Sequence, residues 1–354
     1  MFAEAVDIRK YPSAVNYNPS NVITLGDMHG NTMKLIWCLI REGVIEVSEN
    51  DFNAMWSAYD AIPTDRTAGV LNKFKELLNS VTVNSGFSVC LLGDLFSDRG
   101  NNDYFTLKVL EKLHQAGVKP EITYSNHDVW LLDSYNKLSS AQYFLPVSRW
   151  PSLIGLYDCV FAGIVEPAEV QLLVKNYILP HIKPIAYILS EDKKTIDLFM
   201  HAPNNFAAIK KFTEILGIAD NYQPKDAVDL AKTLDEINVR LQKLCAAQDS
   251  EVIATASSGI NANMAGMVLH NFIWNRMENT QGCIDFTTYP VFVSHVVHGH
   301  TEVKKQHDSR QINLDSTLGK VQWKNQGEYL VFLAENTLPA NIKRADIINA
   351  YLDC

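Results

Sequence analysis

Apolar residues in this chain cluster in short runs that stop at a glycine or a polar group instead of fading out. "NVITLGDMHGN" (21–31) is one such run, a short buried strand followed by a turn. "TMKLIWCLIREG" (32–43) changes period: its apolar residues fall at helical spacing, and Gly43 is its stop. Residues 48–86 are polar, with one helix expected around 67–79. "SVCLLG" (88–93) is a second buried strand. "DYFTLKVLEKLHQAG" (103–117) is an amphipathic helix closed by Gly117, and "EITYSNHD" (121–128) is a third strand running into a polar turn. The alternation of strand and helix predicts a partly parallel sheet with helices outside it. Each polar cluster then lies just past the C-terminal end of a strand, where open α/β sheets place their ligands.

Further along, "PIAYILSEDKKTIDLFMHA" (184–202) predicts a hairpin with a charged turn. Residues 204–247 predict two helices separated by "ADNYQPKD", with Pro224 near the start of the second. "PVFVSHVVHGHT" (290–301) is a strand ending in histidines, and "RQINLDSTLG" (310–319) and "EYLVFLAEN" (328–336) are the last strands. No internal repeat or low-complexity segment interrupts the chain. The expectation is a single catalytic domain over 1–354 with a helical insert at 204–268. That insert is either a cap over a site or a hairpin packed on the flank.

Length and composition narrow the class. The 354 residues, 47% hydrophobic and 20% charged, suit a globular protein with a sizeable core. The net charge of −9 argues against nucleic acid as a partner, which calls for a basic face. No apolar run is long enough to span a membrane, and "MFAEAVDIRKYPS" has no signal-peptide pattern. Folding in a reducing cytoplasm is expected, and export without an N-terminal signal stays open. The six cysteines form no CxxC pair and are expected as small buried residues.

The chemistry sits at the strand ends. "GDMHG" offers Asp27 and His29, which face the same way at i and i+2 in extended chain. "GDLFSDRG" offers Asp94, Asp98 and Arg99. Two carboxylates and a guanidinium so close call for a metal, a phosphate or a local salt bridge. "SNHD" offers Asn126, His127 and Asp128; "FMHA" offers His201; "HGHT" offers His300. Taken singly each has a bland reading: a polar loop for D-x-H, a helix cap for "NHD", a core histidine for His201. Taken together, oxygen and imidazole groups each following a buried strand are what a pair of borderline divalent ions needs.

The ordered series GD-x-H-G, GD-x-x-x-D-R-G, N-H-D and a late G-H resembles the metal-dependent phosphoprotein phosphatases, a branch of the calcineurin-like metallophosphoesterases. "IWNRM" (273–277) resembles the tryptophan–asparagine–arginine element of the phage and bacterial members, and "INLDSTLG" resembles a late strand of that fold. The resemblance implies an α/β fold of two mixed sheets in a sandwich flanked by helices. It implies that Asp27, His29 and a bridging Asp94 hold one metal, and that Asp94, Asn126, His201 and His300 hold the other. Arg99 and Arg276, with Asn126, would bind the substrate phosphate. His127, oriented by Asp98, would protonate the leaving alkoxide. The cofactors implied are two divalent ions, manganese first, with iron or zinc as alternatives.

The chemistry asked of such a site is demanding, because phosphate monoesters need accelerations toward ~10²¹. Two metals sharing a hydroxide for in-line attack, with planar guanidinium on the phosphoryl oxygens, are suited to it. Ser125 and Asp128 depart mildly from the usual glycine and glutamate. Glu302 stands where the wider superfamily often has histidine, which favours the phosphoprotein branch. His298 is read as a neighbour of the ligands or a strand-packing residue; His114, His181, His270, His295 and His307 are read as structural. The insert and the missing signal further resemble the Wip-type translocated effector phosphatases of intracellular bacteria. There the core is followed by a further C-terminal region, so the chain is open to being a piece of a longer protein, with a host protein as a further partner.

The expected function is thus hydrolysis of phosphoserine or phosphothreonine in phosphoproteins, with phosphotyrosine open. Alternatives are a dinucleoside polyphosphate or nucleotide phosphohydrolase on the same core, and a non-catalytic scaffold. A cysteine phosphatase and a P-loop kinase are disfavoured, since neither H-C-x₅-R nor G-x₄-G-K-[ST] occurs.

Overall fold

A computed structural model of the chain describes residues 2–15, 22–65, 67–135, 150–247, 250–260, 263–277, 283–301, 308–316, 318–320 and 325–333. Glu302, His307 and Cys354 lie outside the described residues. The chain opens with β1 (Phe2–Asp7), β2 (Val22–Leu25) and α1 (Thr32–Arg41). A small hairpin of β3 (Ile45–Glu46) and, later, β4 (Thr82–Val83) brackets α2 (Glu49–Ala61) and α3 (Ala68–Ser80). Then follow β5 (Ser88–Leu91), α4 (Asp103–Gln115), β6 (Glu121–Thr123) and α5 (Asp128–Tyr135). Next come α6 (Pro151–Phe161), α7 (Pro167–Tyr177), β7 (Ile182–Lys183), β8 (Ala186–Leu189) and β9 (Ile196–Phe199). Four helices succeed them: α8 (Phe206–Ile215), α9 (Ala227–Cys245), α10 (Glu251–Ser258) and α11 (Met264–Ile273). Strands β10 (Val293–His298), β11 (Gln311–Asn313) and β12 (Gln326–Leu333) complete the described chain.

The expected strand–helix alternation is present: β2, β5, β6 and β7 pair in parallel. The sheet is mixed because β12 runs antiparallel to β2 and carries β1 on its outer edge. A second sheet, ordered β11-β10-β9-β8, is parallel except for the β8–β9 hairpin. The two sheets face each other through Cys90, Leu92, Leu330 and Phe332 on one side and Phe199, Val297 and Ile312 on the other. Phe199 and Phe332 meet ring to ring at 5.9 Å. The alternating apolar residues expected of a sheet with one packed face make this layer.

Local chemistry explains the helices that the pattern predicts. Asn31 caps α1 by accepting the Lys34 N–H at 3.1 Å, and Gly43 takes a left-handed φ of 72° just past its end. Asn102 caps α4 by accepting the Tyr104 N–H at 2.9 Å. The sequence reading singles out neither α2, α5, α6, α7, α10 and α11 nor β1, β3, β4 and β7. In α2, Ser48 caps the start, and Phe52, Met55, Trp56 and Tyr59 are buried at helical spacing within a polar stretch. Strand β1 has its partner more than 300 residues away, so nothing local announces it.

The helical stretch from 204 onward holds α8 and α9 where the periodicity predicts them. Helix α9 lies on the flank: the Asn238 amide donates to the Ile185 carbonyl at 2.9 Å, and Tyr187 donates to Asp235 at 2.9 Å. Helix α11 runs toward the sandwich rim, where Trp274, its C-cap residue, stands with its ring 6.2 Å from that of His300. Among the described residues no helix is long and apolar enough to cross a membrane.

Candidate metal centre

The parallel strands of both sheets end at one rim, and the turns after β2, β5, β6, β9 and β10 bring the predicted ligands there. These turns are stitched together by backbone bonds. Gly30 N–H donates to the Asp94 carbonyl at 2.9 Å, Gly100 N–H to the His29 carbonyl at 3.1 Å, and Gly299 N–H to the His201 carbonyl at 2.7 Å. Such closeness leaves no room for side chains. A Cβ on Gly299 would stand 1.8 Å from Asp27 Oδ1, and one on Gly100 would stand 1.6 Å from the Gly30 carbonyl oxygen. Three ligand candidates, His29 (φ 58°), Asp94 (φ 53°) and His300 (φ 68°), adopt the left-handed backbone that non-glycine residues seldom take. Strain of this kind gathers where a site must aim its side chains.

Asp27, His29, Asp94, Asn126, His201 and His300 are all buried. His201 Nδ1 lies 2.7 Å from the Leu92 carbonyl oxygen, which can only accept, so Nδ1 carries the hydrogen. Its Nε2 therefore presents a lone pair, yet it faces Asn126 Oδ1 at 2.8 Å and Asp94 Oδ1 at 3.4 Å. His300 Nδ1 comes within 3.1 Å of the same nitrogen, and His300 N–H donates to Asp27 Oδ2 at 2.8 Å. His29 Nδ1 is 3.0 Å from Asp98 Oδ2 and 3.7 Å from Asp94 Oδ2. Around these contacts, Asp27 Oδ1, His29 Nε2, Asp94 Oδ1 and His300 Nε2 are buried with no hydrogen-bond partner. Burying such atoms unpaired is costly, and lone pairs pointed at lone pairs repel.

Electrostatics agree with the geometry. Burial, then the charges of Asp315 and Asp94, pushes Asp27 well above the usual carboxylate range. Burial alone pushes Asp94 up, but the facing histidines His201, His127, His29 and His300 outweigh it and hold Asp94 below that range. Burial holds His201 down, and burial with neighbouring His201 brings His300 down to about 2. Imidazoles that stay neutral are in the form that binds metal. The donor sets Asp27–Asp94–His201, Asp27–His29–Asp315 and His29–Asp94–Asp98 each gather within 4.8 Å. Oxygen and imidazole donors with unpaired lone pairs fit divalent cations.

The remaining predicted residues surround this cluster. His127 Nδ1 donates to the Ser97 carbonyl at 2.8 Å, and its ring meets Trp150 edge-on at 4.5 Å. Asp98, expected to orient His127, stands 3.9 Å from it and closer to His29. The Ser97 carbonyl occupies the orienting position instead, beside the left-handed turn at Ser97 (φ 54°). Arg99 lies exposed at the rim with Nε 3.5 Å from Asp98 Oδ1. Arg276 is exposed too, and its charge reaches His300. The cap reading of "NHD" gives way, since Ser125 Oγ accepts the Asp128 N–H at 2.9 Å while Asn126 faces His201.

His298 is strand packing that steadies the ligand turn. Gln311 donates to its Nε2 at 2.8 Å, so its Nδ1–H is left to donate to the Gly299 carbonyl at 2.9 Å. Cys38, Cys90, Cys159 and Cys245 are buried, as expected, and Cys283 is half-buried. The sequence reading missed Asp315, which is buried against His29.

The rim thus gathers buried carboxylates and imidazoles that could hold metal ions beside two exposed guanidinium groups, and the sequence comparison gives a phosphatase class. The chain belongs to the family of WipA-like phosphatase domains, whose sequence pattern matches residues 88–320. The solved phosphatase domain of the Legionella effector WipB has the same fold. It aligns with a TM-score of 0.64 at 22% identity, over 83% of this chain and 98% of that one. A cold-active protein tyrosine phosphatase aligns with a TM-score of 0.43 at 14% identity, over 93% of this chain and 78% of that one, too distant to bear on the fold or the substrate. No curated protein matches the chain in sequence.

Proposed function

We propose that this chain is a dimetal phosphoprotein phosphatase. The observation that carries the reading is the His201 nitrogen lone pair facing two further acceptors, Asn126 Oδ1 and Asp94 Oδ1, in a buried site. Asp27, His29 and Asp94 would hold one cation, and Asp94, Asn126, His201 and His300 the other. Bound there, two divalent ions, manganese foremost, would supply an acidified water as nucleophile and positive charge for the phosphoryl oxygens.

The chain's own residues do the rest. Arg99 and Arg276 offer planar donors at the rim, suited to gripping phosphoryl oxygens as charge builds on them. Asn126 adds an amide donor to that grip. His127 is fixed by its Nδ1–H on the Ser97 carbonyl, so its Nε2 is the atom that gives a proton to the departing oxygen. Asp98 Oδ1, 3.9 Å away, is a nearby carboxylate for the protonated ring. Asp98 Oδ2 meanwhile accepts from His29 Nδ1, which leaves His29 Nε2 for the metal.

An acid in this position serves poor leaving groups best. Phosphoserine and phosphothreonine are accordingly the expected substrates. The likeness to a Legionella effector domain extends the proposal to a translocated protein acting on host phosphoproteins.

The test is turnover of matched phosphoserine, phosphothreonine and phosphotyrosine peptides, with diadenosine tetraphosphate alongside. Chelation is expected to silence the protein and manganese to restore it. Full activity after exhaustive chelation would end the metal reading. Preference for the dinucleotide would end the phosphoprotein reading.

A further inference from the structure

Asp315 lies in the turn after β11, in none of the segments that carry the six expected ligands. Its side chain is fully shielded from solvent. Asp315 N–H donates to Asn313 Oδ1 at 2.9 Å, which fixes the turn. Lys320 Nζ contacts both carboxylate oxygens at 3.0 Å, which fixes the side chain. So held, Oδ1 stands 3.6 Å from His29 Nε2, too far for a good hydrogen bond.

The turn is pressed onto the metal centre. A Cβ on Gly26 would stand 2.1 Å from the Leu314 carbonyl oxygen, so the residue before Asp315 abuts the residue before Asp27. Two carboxylates, Asp27 and Asp315, thus face the same buried space, together with His29 Nε2 and Asp27 Oδ1, neither of which has a hydrogen-bond partner. Lys320 and His29 both offset the charge of Asp315, but no hydrogen bond of ordinary length joins the three donors.

We infer that Asp315 is a further carboxylate of the metal centre, facing the cation that Asp27 and His29 hold, with Lys320 setting its direction. The inference rests on the dimetal reading above and adds a ligand to it. If Asp315 merely anchored its turn through Lys320, removing its charge would leave metal binding alone.

The test is a manganese titration of chelated wild-type protein and of Asp315→Asn, with bound ions counted by elemental analysis and the spin signal recorded. Wild type is expected to take two ions and give the signal of a coupled pair. Asp315→Asn is expected to hold one ion about 10- to 100-fold more weakly, and at two equivalents to show the six-line signal of an isolated ion. Two ions of wild-type affinity in Asp315→Asn overturn the inference while leaving the dimetal reading standing. A wild-type protein that takes up no manganese overturns both.

Circular dichroism of the chelated variant checks its folding. Should it fail to fold, Lys320→Met is the second test, since it frees the carboxylate without removing it. Lys320→Met is expected to hold one of the two ions more weakly, because Asp315 loses the contact that aims it. Wild-type affinity for both ions there overturns the inference.

Discussion

The rim of the sandwich and the helices at 206–273 solve opposite problems. In the helices, α9, α10 and α11 each begin on a side chain that caps them. Asp226 caps α9 by accepting the Asp229 N–H at 2.8 Å, Ser250 caps α10, and Asn263 caps α11. Leu230, Leu234, Ile237 and Leu241 are buried on one face of α9 at helical spacing. At the rim, carboxylates face carboxylates, a nitrogen lone pair faces oxygens, and three aiming residues sit in left-handed backbone. Such an arrangement lowers stability as it stands, and bound cations would relieve it. Function and stability are thus separated in space, and substitutions in the two regions should behave differently.

The largest effect is expected from Asp27→Asn. Turnover with manganese should fall by about 10³-fold, the scale of losing an electrostatic catalytic group. The chelated variant should melt at the wild-type temperature or above. Burial holds the Asp27 proton in the folded state, so ionisation costs stability as pH rises through its raised pKa, and asparagine removes that cost. Asparagine can still accept the His300 N–H. A large loss of melting temperature would mean the rim is as much a stability element as the helices.

Next comes His127→Ala, expected to lower turnover of alkyl phosphates by about 10²- to 10⁴-fold. p-Nitrophenyl phosphate, whose leaving group needs little protonation, should suffer far less. Equal losses on both would deny His127 the acid role. In the helices, Leu234→Ala should reverse the pattern. Deleting this buried side chain should cost about 2–5 kcal/mol in denaturant unfolding, with kcat of the folded protein unchanged. A matching fall in kcat would tie α9 to the site.

How much of this was legible depended on the distance between partners. Helices α1, α4 and α9 announce themselves because cap and periodicity lie within one turn of each other. Helix α2 hides because Phe52, Met55 and Trp56 are diluted by polar neighbours, and β1 because its pairing with β12 is remote. Asp27, His29, Asp94, Asn126, His201 and His300 were readable since each follows an apolar run. Asp315 follows one too, inside "INLDSTLG", but its meaning comes from His29, far away in the chain. Asp98 is expected to serve His127; the fold gives it His29 as closer partner, because the turns after β2 and β5 cross.

Asp103 belongs to both regions and gives the smallest and most specific test. It opens α4 in the ordinary way, as an acid in a first turn, yet it lies fully buried beneath the rim. Its Oδ2 accepts the N–H of Ser97, whose carbonyl holds His127. Burial raises its pKa to about 7, with the nearby charge of Asp98 adding to the rise. In the unfolded chain the group loses its proton near the usual carboxylate value of about 3.9. Between these limits the folded state binds the extra proton, so the contribution of Asp103 to stability falls as pH climbs from about 4 to about 7. Asn at this position mimics the protonated carboxyl and can still accept from Ser97. Chelated wild type and Asp103→Asn should therefore melt almost together at pH 4, with the variant melting higher at pH 8. A gap of equal size at both pH values would show that Asp103 keeps its charge when buried.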